Sequence, residues 1–212
     1  MLAYGIEVYR ALMEQYNVAI WPVQLVAWLT GALALALLAR PSRRASMIIG
    51  MVLAAFWTWT GIAFYWITLT PLYFAAPVIA GLFVLQGLLC IFVVTRRHDL
   101  VFRFGNGVAG WVGTVLLAFA IAFYPMLCVM AGLDWVQTPM FGVTAPSTAL
   151  FCLGMLLLAR PRAPWALFII PVIWTFYAGY VAWALPAHHD YALPVAGALA
   201  VMASLARLRP GA

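Results

Sequence analysis

The sequence has very little charge and no lysine. Only 8% of its 212 residues are charged, and all eleven basic side chains are arginines. A soluble domain carries about 25% charged residues because water must wet its surface. The hydrophobic content of 67% therefore indicates helices that face lipid. The absence of lysine excludes the Schiff base of a retinal protein and the lysine of a phosphate-binding loop.

Catalytic motifs and disulfide-forming cysteines are missing as well. The sequence lacks the His-Glu-x-x-His motif of metalloproteases and the Gly-x-Ser-x-Gly motif of serine hydrolases. Its cysteines, Cys90, Cys128 and Cys152, lie in apolar runs, which predicts no disulfide. The first sixteen residues do not have the pattern of a cleavable signal peptide. The net charge of +6 forms no basic face interleaved with aromatic residues, so nucleic-acid binding is not expected. No catalytic residue, cofactor or metal is predicted.

Seven apolar stretches qualify as membrane spans, some of them only just, since a spanning helix needs about 20 residues. They predict an all-α integral membrane bundle of about seven transmembrane helices whose partner is the lipid bilayer. The stretches are Val18–Ala39, Ser46–Thr68, Ala75–Thr95, Val108–Ala131, Met140–Ala159, Trp165–Leu185 and Tyr191–Ala206. The expected division of the chain is a segment at residues 1–17, one bundle domain at residues 18–207 and a cytoplasmic tail at residues 208–212.

Arginines occupy alternate connections between these stretches. They follow the first, third, fifth and seventh stretches, whereas the other connections hold acidic residues and histidines or no charge. The arginines concerned are Arg40, Arg43, Arg44, Arg96, Arg97, Arg103, Arg160, Arg162, Arg207 and Arg209. The positive-inside rule predicts that these connections are cytoplasmic, which places the N-terminus outside and the C-terminus in the cytoplasm. A missed or extra span would break the alternation.

The segment before the first stretch has an amphipathic pattern. Its apolar face at helical spacing comprises Leu2, Ile6, Tyr9, Leu12, Met13 and Tyr16, and its charged face comprises Glu7, Arg10 and Glu14. This pattern predicts a short helix lying in the outer membrane interface. The alternative is a frayed tail.

The fifth stretch contains helix-breaking residues. From Ser147 to Ala159 there are only 13 residues, too few to span, so the crossing must also pass through Gly142 and Pro146. Broken helices often build the binding site of a transporter, and neutral polar residues could line a pathway beside the break. The candidate pathway residues are Gln24, Gln86, Thr144, Pro146, Ser147 and Thr148. The alternative is a plain proline kink, with the two glutamines as hydrogen-bonding links between helices.

A second candidate is the outer-face loop His188, His189 and Asp190. Imidazole and carboxylate groups bind metals and sense pH, but adjacent residues rarely share one ion. A solvated loop is therefore the simpler interpretation. The methionines and cysteines could bind a soft metal, although nine methionines are ordinary for an apolar core.

Several short motifs carry a family resemblance over nearly the whole chain. Tyr16-Asn17 with Trp21-Pro22, Leu85-Gln86-Gly87, and the run from Phe141 to Thr148 resemble a family of small bacterial multi-pass membrane proteins of unknown function. In that family the last motif resembles Gly-x-Ala-Pro-x-Pro-Thr, whose second proline is missing here, so the resemblance implies a milder break. It supports the fold and a bacterial cytoplasmic membrane, and it brings no activity.

Three functions remain open from the sequence. The leading hypothesis is a small transporter with a pathway near the broken fifth helix. The alternative is a non-transporting accessory or sensor protein that binds a partner at its outer face. A membrane enzyme acting on a lipophilic substrate is a third hypothesis, and it would need a cluster among Glu7, Glu14, Asp134, His188, His189 and Asp190.

Overall fold

The computed structural model describes residues 5–207 as a helical bundle with one two-residue β-ladder. The expected tail at residues 208–212 and the first four residues lie outside this range. The helices are α1 Ile6–Ala19, α2 Val23–Leu38, α3 Arg43–Leu69, α4 Ala76–Arg96, α5 Val108–Met130, α6 Ala145–Leu158, α7 Ala166–Ala184 and α8 Ala192–Ala206. The strands β1 Val101–Phe102 and β2 Ala159–Arg160 pair antiparallel, and short 3₁₀ turns form at Trp135–Gln137 and His188–Tyr191.

Five of the helices are long and apolar enough to cross a bilayer. These are α3, α4, α5, α7, and α8 counted together with the turn before it, each 19 to 27 residues long. Their outer faces expose large apolar side chains such as Leu88, Trp111 and Ile173, as lipid-facing helices do. The chain is therefore a membrane-spanning helical protein.

The first expected span, Val18–Ala39, consists mainly of α2, which meets α1 at a sharp bend. The axes of α1 and α2 differ by 81° across the turn at Trp21-Pro22. Proline has no N–H to continue α1, and α2 starts directly after Pro22. The pair counts as at most a sixth, broken span. The helix α1 matches the predicted amphipathic segment, since it buries Met13 and Tyr16 and leaves Glu7 exposed. The interfacial position of α1 stays a prediction.

The fifth expected span, Met140–Ala159, also differs from a plain transmembrane helix. The helix α6 has only 14 residues, about 21 Å at 1.5 Å per residue, and every one of them is buried. It is the central helix of the bundle, and irregular chain precedes it. Its closest crossing is with α5, where a Cβ added at Gly113 would lie 3.0 Å from the Gly154 carbonyl oxygen. Within residues 5–207, five helices, or six with the bent pair, are thus long and apolar enough to cross a membrane, and the count of about seven transmembrane helices stays a prediction.

The arginine-bearing connections lie together at one end of the bundle, here called the arginine end. Arg43 donates hydrogen bonds to the carbonyl oxygens of Thr95 and Arg97. Arg207 donates to the Ala159 carbonyl oxygen at 3.3 Å, and the β1–β2 ladder joins the connection after α4 to the connection after α6. If alternate connections lie on the same side of the membrane, their arginines must lie at the same end of the bundle, as they do here. The side of the membrane that this end faces stays a prediction.

Candidate functional site

Irregular backbone leads into the buried helix α6. Gly142 has a φ of +73°, a left-handed conformation that favours glycine. Two side-chain hydroxyls then satisfy one carbonyl oxygen: Thr144 Oγ1 and Ser147 Oγ donate to Met140 at 2.7 and 3.2 Å. Pro146 lies in the first turn of α6, where a missing N–H costs no helical hydrogen bond. The hydroxyls predicted to face a pathway are therefore used to hold the break itself.

A cavity of about 50 Å³ reaches this break and is called the break cavity. One water needs about 10–15 Å³ of such space, so the cavity has room for roughly three or four waters. Its lining combines aromatic residues with a single acidic one. The lining residues are Tyr9, Phe64, Tyr65, Leu69, Thr144, Ala145, Pro146, Trp174, Tyr177, Ala178, Val181, Asp190 and Leu193.

Asp190 enters the break cavity from the turn before α8. Its side chain is only 16% exposed, and Tyr124 donates a hydrogen bond to its Oδ1 at 2.5 Å. His189 Nε2 lies 3.7 Å from the same oxygen. His188 is exposed, and its ring packs against that of Tyr191. The three residues expected to share an outer loop thus face different surroundings. No group of three metal-ligating side chains occurs within residues 5–207.

Tyrosines form much of the cavity wall, and the sequence interpretation did not single them out. Tyr65 accepts a hydrogen bond from Trp174 Nε1 at 2.8 Å, and Tyr177 donates to the Tyr73 hydroxyl at 3.0 Å. Tyr65 lies in the π-helical end of α3, Thr60–Leu69, and Tyr124 directly follows the π-helical stretch Phe119–Phe123 of α5. Such stretches recur at functional sites because they re-aim side chains. The one available signal was Tyr124-Pro125, which predicts an interrupted helix.

The two glutamines lie away from the break cavity. Gln86 Nε2 donates to the Leu167 carbonyl oxygen at 2.9 Å. That carbonyl has no helical partner because residue 171, four positions later, is proline. Gln24 Nε2 donates to the Asn17 carbonyl oxygen at 2.6 Å and lines a separate tryptophan-rich pocket. Both side-chain amides therefore form hydrogen bonds that link two helices.

The break cavity brings together three of the residues selected from the sequence. Thr144, Pro146 and Asp190 line it. Thr148 is buried, with its hydroxyl 3.5 Å from that of Thr60. The residues selected from the sequence that do not line the cavity are Gln24, Gln86, Ser147, Thr148, His188 and His189.

The chain belongs to DUF6064, a family of unknown function whose model matches residues 6–210. This match confirms the resemblance to an uncharacterised family. No curated protein and no solved structure matches the chain.

Proposed function

We propose that this DUF6064 protein is a small permease-like protein of the bacterial cytoplasmic membrane that binds and passes a small cation. The cation would have the size of ammonium or an alkali ion and would bind in the break cavity. The observation that carries the proposal is the placement of Asp190 beside Tyr9, Tyr65 and Tyr177 at the start of a broken helix.

The chemistry of the lining favours a cation. Asp190 is the only formally charged residue among those that line the cavity. An intramembrane carboxylate is costly unless it is paired, and it commonly marks an ion pathway. Tyr124 covers part of Asp190 with a neutral hydroxyl. A bound cation would supply the balancing charge, while aromatic faces and hydroxyl oxygens of the tyrosines would replace its hydration.

The size of the cavity limits the solute. About 50 Å³ is enough for a small cation that has lost most of its water but not for a sugar or an amino acid. Packed apolar side chains from Leu153 to Leu158, all fully buried, block a continuous path along the C-terminal half of α6. Passage therefore requires a second conformation in which this half opens, and a helix broken at Gly142 offers a hinge for such a change.

The other two functions have less support. A partner surface at the outer face would need accessible side chains, whereas those of His189 and Asp190 are only 8% and 16% exposed. For an enzyme, the acidic groups would have to converge. Glu14 instead accepts a hydrogen bond from Gln137, and Asp190 accepts one from Tyr124.

The test is cation flux into liposomes that contain the purified protein. Asp190→Asn removes the charge but keeps an acceptor for Tyr124. Asp134→Asn is the matched control, because Asp134 is exposed and does not line the cavity. We expect ammonium, sodium or potassium influx above that of empty liposomes, a loss of at least tenfold with D190N, and no change with D134N. Influx equal to empty liposomes for all three cations, or equal influx for wild type and D190N, would refute the proposal.

A further inference from the structure

Three arginines face one pocket at the arginine end of the bundle. This arginine pocket has a volume of about 490 Å³ and is lined by Arg160, Arg162 and Arg207. Its other walls are the first turn of α5 with the two residues before it, and the last turn of α8. None of the described residues that line it is acidic.

One guanidinium group in this pocket, that of Arg207, has hydrogen-bond donors left over. Arg207 uses Nη1 for the Ala159 carbonyl oxygen, while its Nε and Nη2 are buried without a partner. Burial, together with the neighbouring Arg160 and Arg162, lowers the pKa of Arg207 to about 10. Burial and Arg103 likewise lower the pKa of Arg160.

Asp99, the acidic residue of the arginine-bearing connections, does not relieve this repulsion. Asp99 lies in the same connection as Arg103, but both its carboxylate oxygens accept hydrogen bonds from Arg97 at 3.0 Å. The pocket thus keeps several like charges close together with unused donors. Planar guanidinium groups in this arrangement match the oxygens of a phosphate.

An apolar groove continues from the arginine pocket along α5 and α8. Its volume is about 460 Å³, and it shares Val108, Ala203 and Ala206 with the pocket. It then passes Val112 and Leu199, which lie one to two turns further from the arginine end. Leu199 and Met202 in its wall are 42% and 57% exposed. A polar pocket that opens into an apolar groove on a lipid-facing surface has the two-part chemistry of a phospholipid.

We propose that the arginine pocket and the apolar groove together bind one anionic phospholipid. Its phosphate would lie against Arg160, Arg162 and Arg207, and one acyl chain would lie in the groove beside Val112 and Leu199. Basic pockets between transmembrane helices are a known mode of recognising anionic headgroups. A soluble phosphate would use the pocket but leave the groove empty, so the groove favours the lipid. This site is separate from the break cavity and does not depend on the cation proposal.

The test compares lipids by the thermal unfolding of purified protein in detergent micelles and by native mass spectrometry. Phosphatidylglycerol is the anionic probe, phosphatidylcholine the zwitterionic one, and inorganic phosphate the soluble one. We expect phosphatidylglycerol to raise the unfolding temperature and to be retained in the spectrometer, with phosphatidylcholine and phosphate having much smaller effects. The double variant Arg162→Gln, Arg207→Gln should weaken phosphatidylglycerol binding about tenfold or more.

Two further variants separate the possible causes. Arg44→Gln removes the same charge from an exposed position at the arginine end and should leave binding unchanged. Met202→Trp should weaken lipid binding by filling the groove without touching the arginines. If the double variant does not fold, R162Q alone replaces it. Equal binding of both lipids, an equal loss with R44Q, or full stabilisation by inorganic phosphate with no effect of M202W would overturn the proposal.

Discussion

The hydrogen bond between Gln86 and the Leu167 carbonyl oxygen makes a specific prediction about stability. Pro171 leaves that carbonyl without its helical donor, and Gln86 of α4 supplies one from the neighbouring helix at 2.9 Å. The donor should therefore matter only as long as residue 171 is proline. Replacing Pro171 by alanine restores a backbone N–H at the position that normally bonds to Leu167.

The expected change in the free energy of unfolding follows from the environment of this hydrogen bond. Gln86 is fully buried, and interhelical hydrogen bonds inside membranes contribute about 0.6 kcal/mol on average and up to about 1.7 kcal/mol. The Leu167 carbonyl has no alternative donor in the native helix. We therefore expect Gln86→Leu to lower the free energy of unfolding by about 1 kcal/mol or more. When Pro171 has already been replaced by alanine, Gln86→Leu should lower the free energy of unfolding by less than half as much. Weak contacts of Gln86 with the sulfur atoms of Cys90 and Cys152 cancel in the comparison.

The assay is a double-mutant cycle on unfolding in mixed micelles, titrated with a denaturing detergent and followed by helical circular dichroism. The control cycle pairs Q86L with Pro125→Ala. Pro125 also interrupts a helix, in α5, but the hydrogen bonds described for Gln86 go to Leu167, Cys90 and Cys152 and not to that stretch. The control pair should be additive within about 0.3–0.5 kcal/mol. An equally small coupling between Gln86 and Pro171 would show that Gln86 does not replace the proline's missing donor.

Three further predictions use the same unfolding assay. Gly113→Val should destabilise the protein by about 1–3 kcal/mol by overpacking the α5–α6 crossing at Gly154, whereas an unchanged midpoint would contradict the close approach. Gly142→Ala should cost about 1–3 kcal/mol because φ is +73° there. Arg97 lowers the pKa of the Asp99 carboxyl, so their pair should add stability only above the ordinary aspartate pKa and lose it as the pH falls through the lowered one. Since solvent screens both side chains, D99N should lower the midpoint only slightly at pH 7 and should leave it unchanged at a pH below the lowered pKa of Asp99.

The features that could be predicted from the sequence are those with local causes. Long apolar runs follow from the thickness of the bilayer, and the alternation of arginines follows from the way in which loops are inserted. The break between Gly142 and Pro146 was visible because both residue types act on their own backbone: glycine permits the positive φ found at Gly142, and proline, which favours the first turn of a helix, lies there in α6.

The rest depends on contacts between segments far apart in the chain. The sequence places Asp190 in an outer loop next to two histidines, and only the packing of α8 against α5 turns its carboxylate towards Tyr124, 66 positions earlier. The tyrosines of the break cavity are likewise indistinguishable in sequence from tyrosines of a membrane interface. The sequence offers Gln86 as a hydrogen-bonding link between helices, but its acceptor could not be predicted, because that carbonyl becomes available through a proline 85 residues later in the chain.

The length of the central crossing links α1 to the candidate site. The 14 residues of α6 rise about 21 Å, short of the roughly 30 Å of hydrocarbon, and residues 141–144 before the helix form a turn. This irregular part of the chain leaves backbone carbonyls that lipid cannot satisfy. Tyr16 donates to the Val143 carbonyl oxygen at 2.7 Å, and Asn17 donates to that of Thr138 at 2.9 Å. The helix α1 therefore holds the break by hydrogen bonds, and through Tyr9 it also forms part of the cavity wall. Any movement of α1 would change the backbone at the break and the cavity together.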